Sequence, residues 1–321
     1  MNTPPVPPEE REPFADSWTA DRLMRADFPD PRWAVPGVLC EGVSLLAGPP
    51  KVGKSWMSLG LGLSIAAGQP AFGSIDTGPP APVLYLALED TARRLKTRMG
   101  KMLGDTAAPP LLTLATDCPP LPQGGDREIA GWLNLNPTAR LVVIDVFAKI
   151  RGNEPVNTQQ YDADYRAVGR IKRVADHYGI SVVLVHHVRK AASEDFLATV
   201  SGTNGIAGAA DAVLVLERAR NNADGVLHVT GRDVEENDYA LSFDPTNGAW
   251  SLLDGPAVDH TAGDTRVAIL RYLREHPGST PAEIAAATGI NAGNVRKTCA
   301  RMQEAGQLTK DATSRYYVPL P

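Results

Sequence analysis

The segment Gly48-Pro49-Pro50-Lys51-Val52-Gly53-Lys54-Ser55 constrains this chain more than any other. It fits the pattern G-x-x-x-x-G-K-[S/T]. The apolar run Val43-Ser44-Leu45-Leu46-Ala47 precedes it, and a helical pattern from Lys54 to Ala67, closed by Gly68, follows it. A strand passing through a glycine-containing loop into a helix N-terminus is the context this motif requires. Glycines let the backbone wrap a phosphate closely, and the loop N–H groups and helix dipole bind the anion. Lys54 is placed to reach β and γ phosphates, and Ser55 to ligate Mg²⁺. Pro49, Pro50, Lys51 and Val52 form the body of the loop, and Trp56 follows in the first helical turn, so residues 48–56 are the expected binding segment.

Downstream, apolar runs alternate with helical patterns. Strands are expected over 83–88, 111–115, 141–145, 181–186 and 212–216, and helices over 91–103, 126–133 and 161–178. Runs without polar alternation, separated by helices, define an α/β fold with a mostly parallel sheet covered on both faces. Shorter strands over 226–230, 239–243 and 249–252, joined by turns such as Asn247-Gly248, read as an antiparallel extension. Asp145 ends Leu141-Val142-Val143-Ile144, which puts a carboxylate beside the phosphate loop, where it can hold Mg²⁺ through water. Val146 follows it, so no glutamate at that position activates water. Glu89, ending the second strand, is the candidate base, with Asp90 as the cap of the next helix.

The chain has 321 residues and a formal net charge of −5. From Asp264 onward eight basic residues face five acidic ones, a balance of +3 that leaves −8 for the rest. Cys40, Cys118 and Cys299 lack the spacing of a zinc site and read as reduced thiols of a cytoplasmic protein. No apolar stretch approaches the ~18 residues of a membrane span, so no membrane partner is expected. Residues 1–17 are rich in Pro and Glu and read as a disordered tail, 18–253 as the α/β domain, 254–263 as a linker and 264–321 as a second domain.

In that second domain the period becomes helical. Val267, Ile269, Leu270 and Leu273 mark one helix, Thr280-Pro281-Ala282-Glu283 is a capping box that opens another, and Asn291 starts a third that ends at Gly306. Two short strands over 308–318 complete the order of a winged helix-turn-helix. Val295, Cys299 and Met302 form the inner face of the third helix. Asn294, Arg296, Lys297 and Arg301 lie where a major groove would be read, with Lys310 and Arg315 on the wing near duplex phosphates. A protein-interaction role for this module stays open.

These motifs resemble the RecA-like ATPases and, among them, the RepA-type replicative helicases of plasmids and phages. The resemblance covers roughly residues 30 to 253. It rests on Trp33-Ala34-Val35-Pro36-Gly37, the phosphate loop, Leu86-Ala87-Leu88-Glu89-Asp90, the strand ending in Asp145, Val185-His186-His187, Ser201-Gly202-Thr203-Asn204-Gly205 with Ala210-Asp211, and Gly231-Arg232-Asp233. It implies ATP as substrate with Mg²⁺, and a homo-oligomer, typically a hexameric ring, moving on single-stranded DNA. His187 then senses the γ-phosphate, with His186 one residue away on the opposite face. Arg232 then enters a neighbouring subunit's site as a finger, the alternative being an ion pair with Asp233 or Glu235. The loops over 148–160 and 188–205 then face DNA, with Lys149, Arg151, Arg189 and Lys190 as phosphate contacts. Two other functions remain open: an ATP-dependent DNA-binding switch, and a loader-like assembly protein without unwinding activity.

Overall fold

Apolar runs become strands buried on both faces because every residue of such a run needs apolar cover. The computed structural model describes residues 17–152, 160–188, 204–218, 224–253, 264–304 and 306–319. Contacts divide the chain into Met1–Pro31 and Arg32–Pro321. The first unit carries one short helix, α1 (Ala20–Met24), capped by Thr19.

In the second unit β1 (Trp33–Val35) and β2 (Leu39–Cys40) form a hairpin that sequence patterning leaves unassigned. Then follow β3 (Gly42–Gly48), α2 (Lys54–Ala67), β4 (Val83–Ala87), α3 (Ala92–Leu103), β5 (Leu112–Ala115), α4 (Gly125–Leu135) and β6 (Leu141–Asp145). After them come α5 (Phe147–Ile150), α6 (Gln160–Tyr178), β7 (Ser181–His187), α7 (Asn204–Ala209), β8 (Ala212–Arg218), β9 (Asp224–Gly231), β10 (Asn237–Phe243) and β11 (Trp250–Leu252). Among the described residues β3 to β11 form one sheet in the order β11-β10-β9-β8-β3-β7-β6-β4-β5. Strands β8, β3, β7, β6, β4 and β5 run parallel, and β9, β10 and β11 extend the sheet antiparallel, as the sequence pattern predicts. One expectation changes. Strand β7 pairs with both β3 and β6, so Asp145 is one strand removed from the phosphate loop rather than beside it. The spacing of Asp145 from the loop in sequence carries no information about which later strand is inserted between them.

Alternation along the strands builds two apolar layers. Leu46, Val143, Val183 and Val185 pack with Met57, Leu59 and Leu95 of α2 and α3. Leu45, Val142, Ile144, Val182 and Leu184 pack with Ile129, Leu133, Val168 and Ile171 of α4 and α6. The same period places Asp145 and His187 on the α2 face and His186 on the α6 face.

The C-terminal module has α8 (Asp264–Glu275), α9 (Pro281–Thr288), α10 (Ala292–Glu304) and a hairpin of β12 (Thr309–Lys310) with β13 (Tyr316–Tyr317). The capping box is present: Thr280 Oγ1 accepts from Glu283 N, and Glu283 Oε2 accepts from Thr280 N at 2.7 Å. Val295, Cys299 and Met302 are buried against Ile269, Leu273 and Ile284, so one face of α10 is core and the other is exposed.

Candidate active site

The loop between β3 and α2 turns through Gly53 at φ +115°, a left-handed conformation suited to glycine, and a Cβ there would lie 2.8 Å from the Trp250 ring. The outer side of the loop is braced by the antiparallel extension. Trp250 Nε1 donates to Gly53 O (3.3 Å), and Arg218 Nε donates to Val52 O (3.2 Å). The Arg218 guanidinium lies 4.4 Å from the Phe243 ring centroid. Sequence reasoning missed Arg218, Phe243 and Trp250, because they meet the loop from more than 160 residues away.

Lys54 is buried and donates from Nζ to Gly48 O (2.6 Å) and Pro49 O (2.9 Å). Burial pulls its pKa down to about 8, while the Asp145 charge opposes that fall. Asp145 is 7% exposed and its Oδ2 accepts from the Tyr85 hydroxyl at 2.7 Å. The same hydroxyl lies 3.1 Å from Ser58 Oγ, tying Asp145 to the second turn of α2. Burial, then the Asp145 charge, raises the Tyr85 pKa well above the ordinary phenol value, so the hydroxyl remains a donor.

Register brings Ala87 of β4 opposite Asp145, and Leu88 N donates to Asp145 O (2.7 Å). The chain then places exposed Glu89 on the rim of a cavity of about 340 Å³ lined by Ser55, Glu89, Asp90, Arg94, Arg98 and Asp145. Asp90 does not cap α3. Thr91 does, its side chain accepting from Arg94 N. The Asp90 carboxylate instead binds Arg94 Nε (2.6 Å) and Arg98 (2.9 Å), since one turn and two turns into α3 bring both guanidinium groups back over it.

His187 pairs in register with Gly48 at the end of β3. Burial, then the Lys54 charge, lowers its pKa, so it is neutral at pH 7. Burial lowers His186 further, to about 4, on the face that carries Asp164 and Arg151. The structure thus brings Lys54, Ser55, Glu89, Asp145 and His187 to one edge and one face of the sheet.

Other expected residues lie elsewhere. Arg232 follows β9 at the edge where β3 begins, and its guanidinium pairs with Asp211 (3.3 Å), not with Asp233 or Glu235. Lys149 is exposed on the short helix α5, within the span expected to be a loop. Arg151 is bound to the buried Asp164 at 2.5 Å. Arg189 and Lys190 lie outside the described residues, as do residues 153–159, the linker over 254–263, and the side chain of Asn294. On the C-terminal module Arg296, Lys297 and Arg301 are exposed on α10, and Lys310 lies over the Tyr316 ring. Arg315 is engaged within the module, donating to Gly278 O (2.5 Å) and facing Glu283 (3.5 Å).

This sheet, loop and carboxylate arrangement define a RecA-like P-loop ATPase with a C-terminal winged helix. An AAA-domain family model matches residues 7–193, more than half of the chain, and the protein belongs to that family. A model of a winged helix-turn-helix DNA-binding domain matches residues 264–309. Among solved structures, the ATPase domain of a helicase shares the fold at a TM-score of 0.55 and 13% identity, covering 67% of this chain and 85% of that one. No curated protein matches the chain in sequence. No described helix is long and apolar enough to cross a membrane.

Proposed function

We propose that this ATPase is a motor acting on DNA, an oligomeric cytoplasmic helicase or replication protein of the RepA-like kind. The observation that carries the reading is the cavity formed by Ser55, Glu89 and Asp145 next to Lys54, with His187 on the same face. Lys54 releases the loop carbonyls and binds the β and γ phosphates of ATP. Ser55 and Asp145 fit a hydrated Mg²⁺, because Asp145 faces the cavity with acceptor positions left beside the one that Tyr85 uses. That ion supplies charge neutralisation at the phosphates. Glu89 accepts the proton of the attacking water, and its exposure on the rim gives it access. Neutral His187 donates to the γ-phosphate and reports its loss to the segment that follows β7. Arg232, 62% exposed at the far edge, serves a neighbouring copy's site in a ring, and Asp211 aims it.

Lys149 and the half-exposed, stacked Tyr161 and Tyr165 near the ends of α5 and α6 supply charge and aromatic surface for single strands. The winged helix reads duplex DNA through Arg296, Lys297 and Arg301. Substituting any one by Ala is expected to lower the salt slope of duplex binding by about 1. The test of the motor reading is ATP hydrolysis with and without single-stranded DNA, with Lys54→Ala as the dead control and Arg232→Ala alongside. Strong stimulation by single strands, lost in Arg232→Ala, supports it. Hydrolysis indifferent both to DNA and to Arg232→Ala sinks it. The charge of −8 outside the winged helix favours a second reading, a DNA-bound switch or loader-like assembly protein, which that indifferent outcome would select.

A further inference from the structure

The cavity beside the phosphate loop contains two arginines that the proposed mechanism does not use. Arg98 is the more enclosed, with 21% of its side chain exposed against 55% for Arg94. Its guanidinium makes two contacts that together span the site. One is the ion pair to Asp90 at 2.9 Å, the residue directly after Glu89. The other is the stack over the Trp56 ring at 5.3 Å, the residue directly after Ser55. Trp56 has little freedom of its own. Its opposite side lies against the backbone of Gly248, where an added Cβ would fall 1.9 Å from the ring. The resulting chain of contacts runs from the Gly248 turn through Trp56, Arg98 and Asp90 to the strand end that carries Glu89.

We propose that Arg98 is a positioning residue for ATP hydrolysis: it fastens the end of β4, and with it Glu89, to the first turn of α2. The inference rests on Glu89 acting as the base. Its physical content is geometric. Glu89 is exposed and extends beyond the last ladder pair of β4, Ala87 with Asp145, so the sheet alone does not hold it. Arg94 donates to Glu89 O (2.8 Å) and also binds Asp90, which makes the connection local to α3. Of the two arginines, Arg98 extends it to α2, where Ser55 and Lys54 stand. A planar guanidinium suits this task because it can stack on an indole and pair with a carboxylate at once, whereas an ammonium does only the second.

The test is a kinetic cycle on the full-length chain. Arg98→Gln is expected to lower kcat by about tenfold or more, because displacing a catalytic group by about 1 Å costs up to ~100-fold. Affinity for a fluorescent non-hydrolysable ATP analogue should stay within about twofold, since Arg98 does not hold the phosphates. Arg98→Lys should give an intermediate loss, and Asp90→Asn should reproduce the kcat defect, which guards against a single poorly folded variant. In a Glu89→Gln background, adding Arg98→Gln should change the residual rate by less than about twofold, because the two act as one unit. A loss of analogue binding of about tenfold in Arg98→Gln, or additive losses in the double variant, would overturn the proposal and make Arg98 a direct phosphate ligand. Full activity in Arg98→Gln together with an inactive Glu89→Gln would defeat this inference and leave the mechanism above standing. Full activity in Glu89→Gln would remove Glu89 as base, and this inference with it.

Discussion

Asp145 and Asp211 are both largely buried carboxylates on the same sheet, one at the edge where β3 ends in Gly48, the other at the edge where β3 begins. They differ in how fully they are satisfied. Asp211 accepts from Val43 N (2.9 Å), twice from Lys172 Nζ (2.8 and 2.9 Å) and from Arg232 (3.3 Å). Among the described residues, Asp145 takes one side-chain donor, the neutral Tyr85 hydroxyl, and opens onto a cavity. A carboxylate whose acceptor positions are filled by a backbone amide and two cations is a staple. A carboxylate left partly unfilled beside a cavity can bind something that arrives. The contrast therefore separates stability from chemistry within one sheet.

The largest effect that would sharpen this contrast is on catalysis. Lys54→Ala and Asp145→Asn should each lower ATP hydrolysis by at least about 100-fold. Asp145→Asn should leave the urea midpoint nearly unchanged, because the amide oxygen still accepts from Tyr85. A midpoint that falls as steeply as the rate would erase the distinction between the two edges. Asp211→Ala should do the reverse. It removes the partner of Val43 N, Lys172 and Arg232, and stability should drop by about 2–3 kcal/mol in urea titrations. The folded fraction should still bind nucleotide. Loss of nucleotide binding at unchanged stability would place Asp211 in the chemistry.

The phosphate edge should also respond to pH. The Lys54 pKa is lowered to about 8, mainly by burial. Bound phosphates favour the charged ammonium, so binding draws a proton onto Lys54 when the pH lies above that value. Nucleotide affinity should then fall as pH rises through about 8, by at most about tenfold per unit, measurable by calorimetry in buffers of different ionisation enthalpy. No proton uptake near that pH would mean that Lys54 stays charged throughout. The smallest effect expected is from Tyr85→Phe, which strips Asp145 of its side-chain donor at a stability cost of about 1 kcal/mol. Hydrolysis should fall by a few-fold only. A loss as deep as that of Asp145→Asn would give the phenol its own part in catalysis.

Much of the architecture is readable from residue order. The helix over 54–67, the strand over 141–145 and the helices of the winged module stand where periodicity and capping residues put them. The register also supports the choice between the two histidines, since His187 faces α2 and His186 faces α6. What escapes a reading of residue order is the partners. The Asp90 carboxylate has the position of a helix cap in sequence, yet it holds Arg94 and Arg98 while Thr91 caps α3. Arg232 has acidic neighbours in sequence and pairs with Asp211 instead.

The sequence by itself determined the phosphate loop, the parallel α/β core with its antiparallel extension, and the winged helix. Each is written in local conformational preference and hydrophobic period, within a few turns or one strand. Only the tertiary structure decided that β7 lies between the two site strands, that Tyr85 holds Asp145, and that Arg218 and Trp250 brace the loop. These depend on strand order and register between segments far apart in the chain. Many pairings satisfy the same hydrophobic pattern, and packing of the whole sheet selects one.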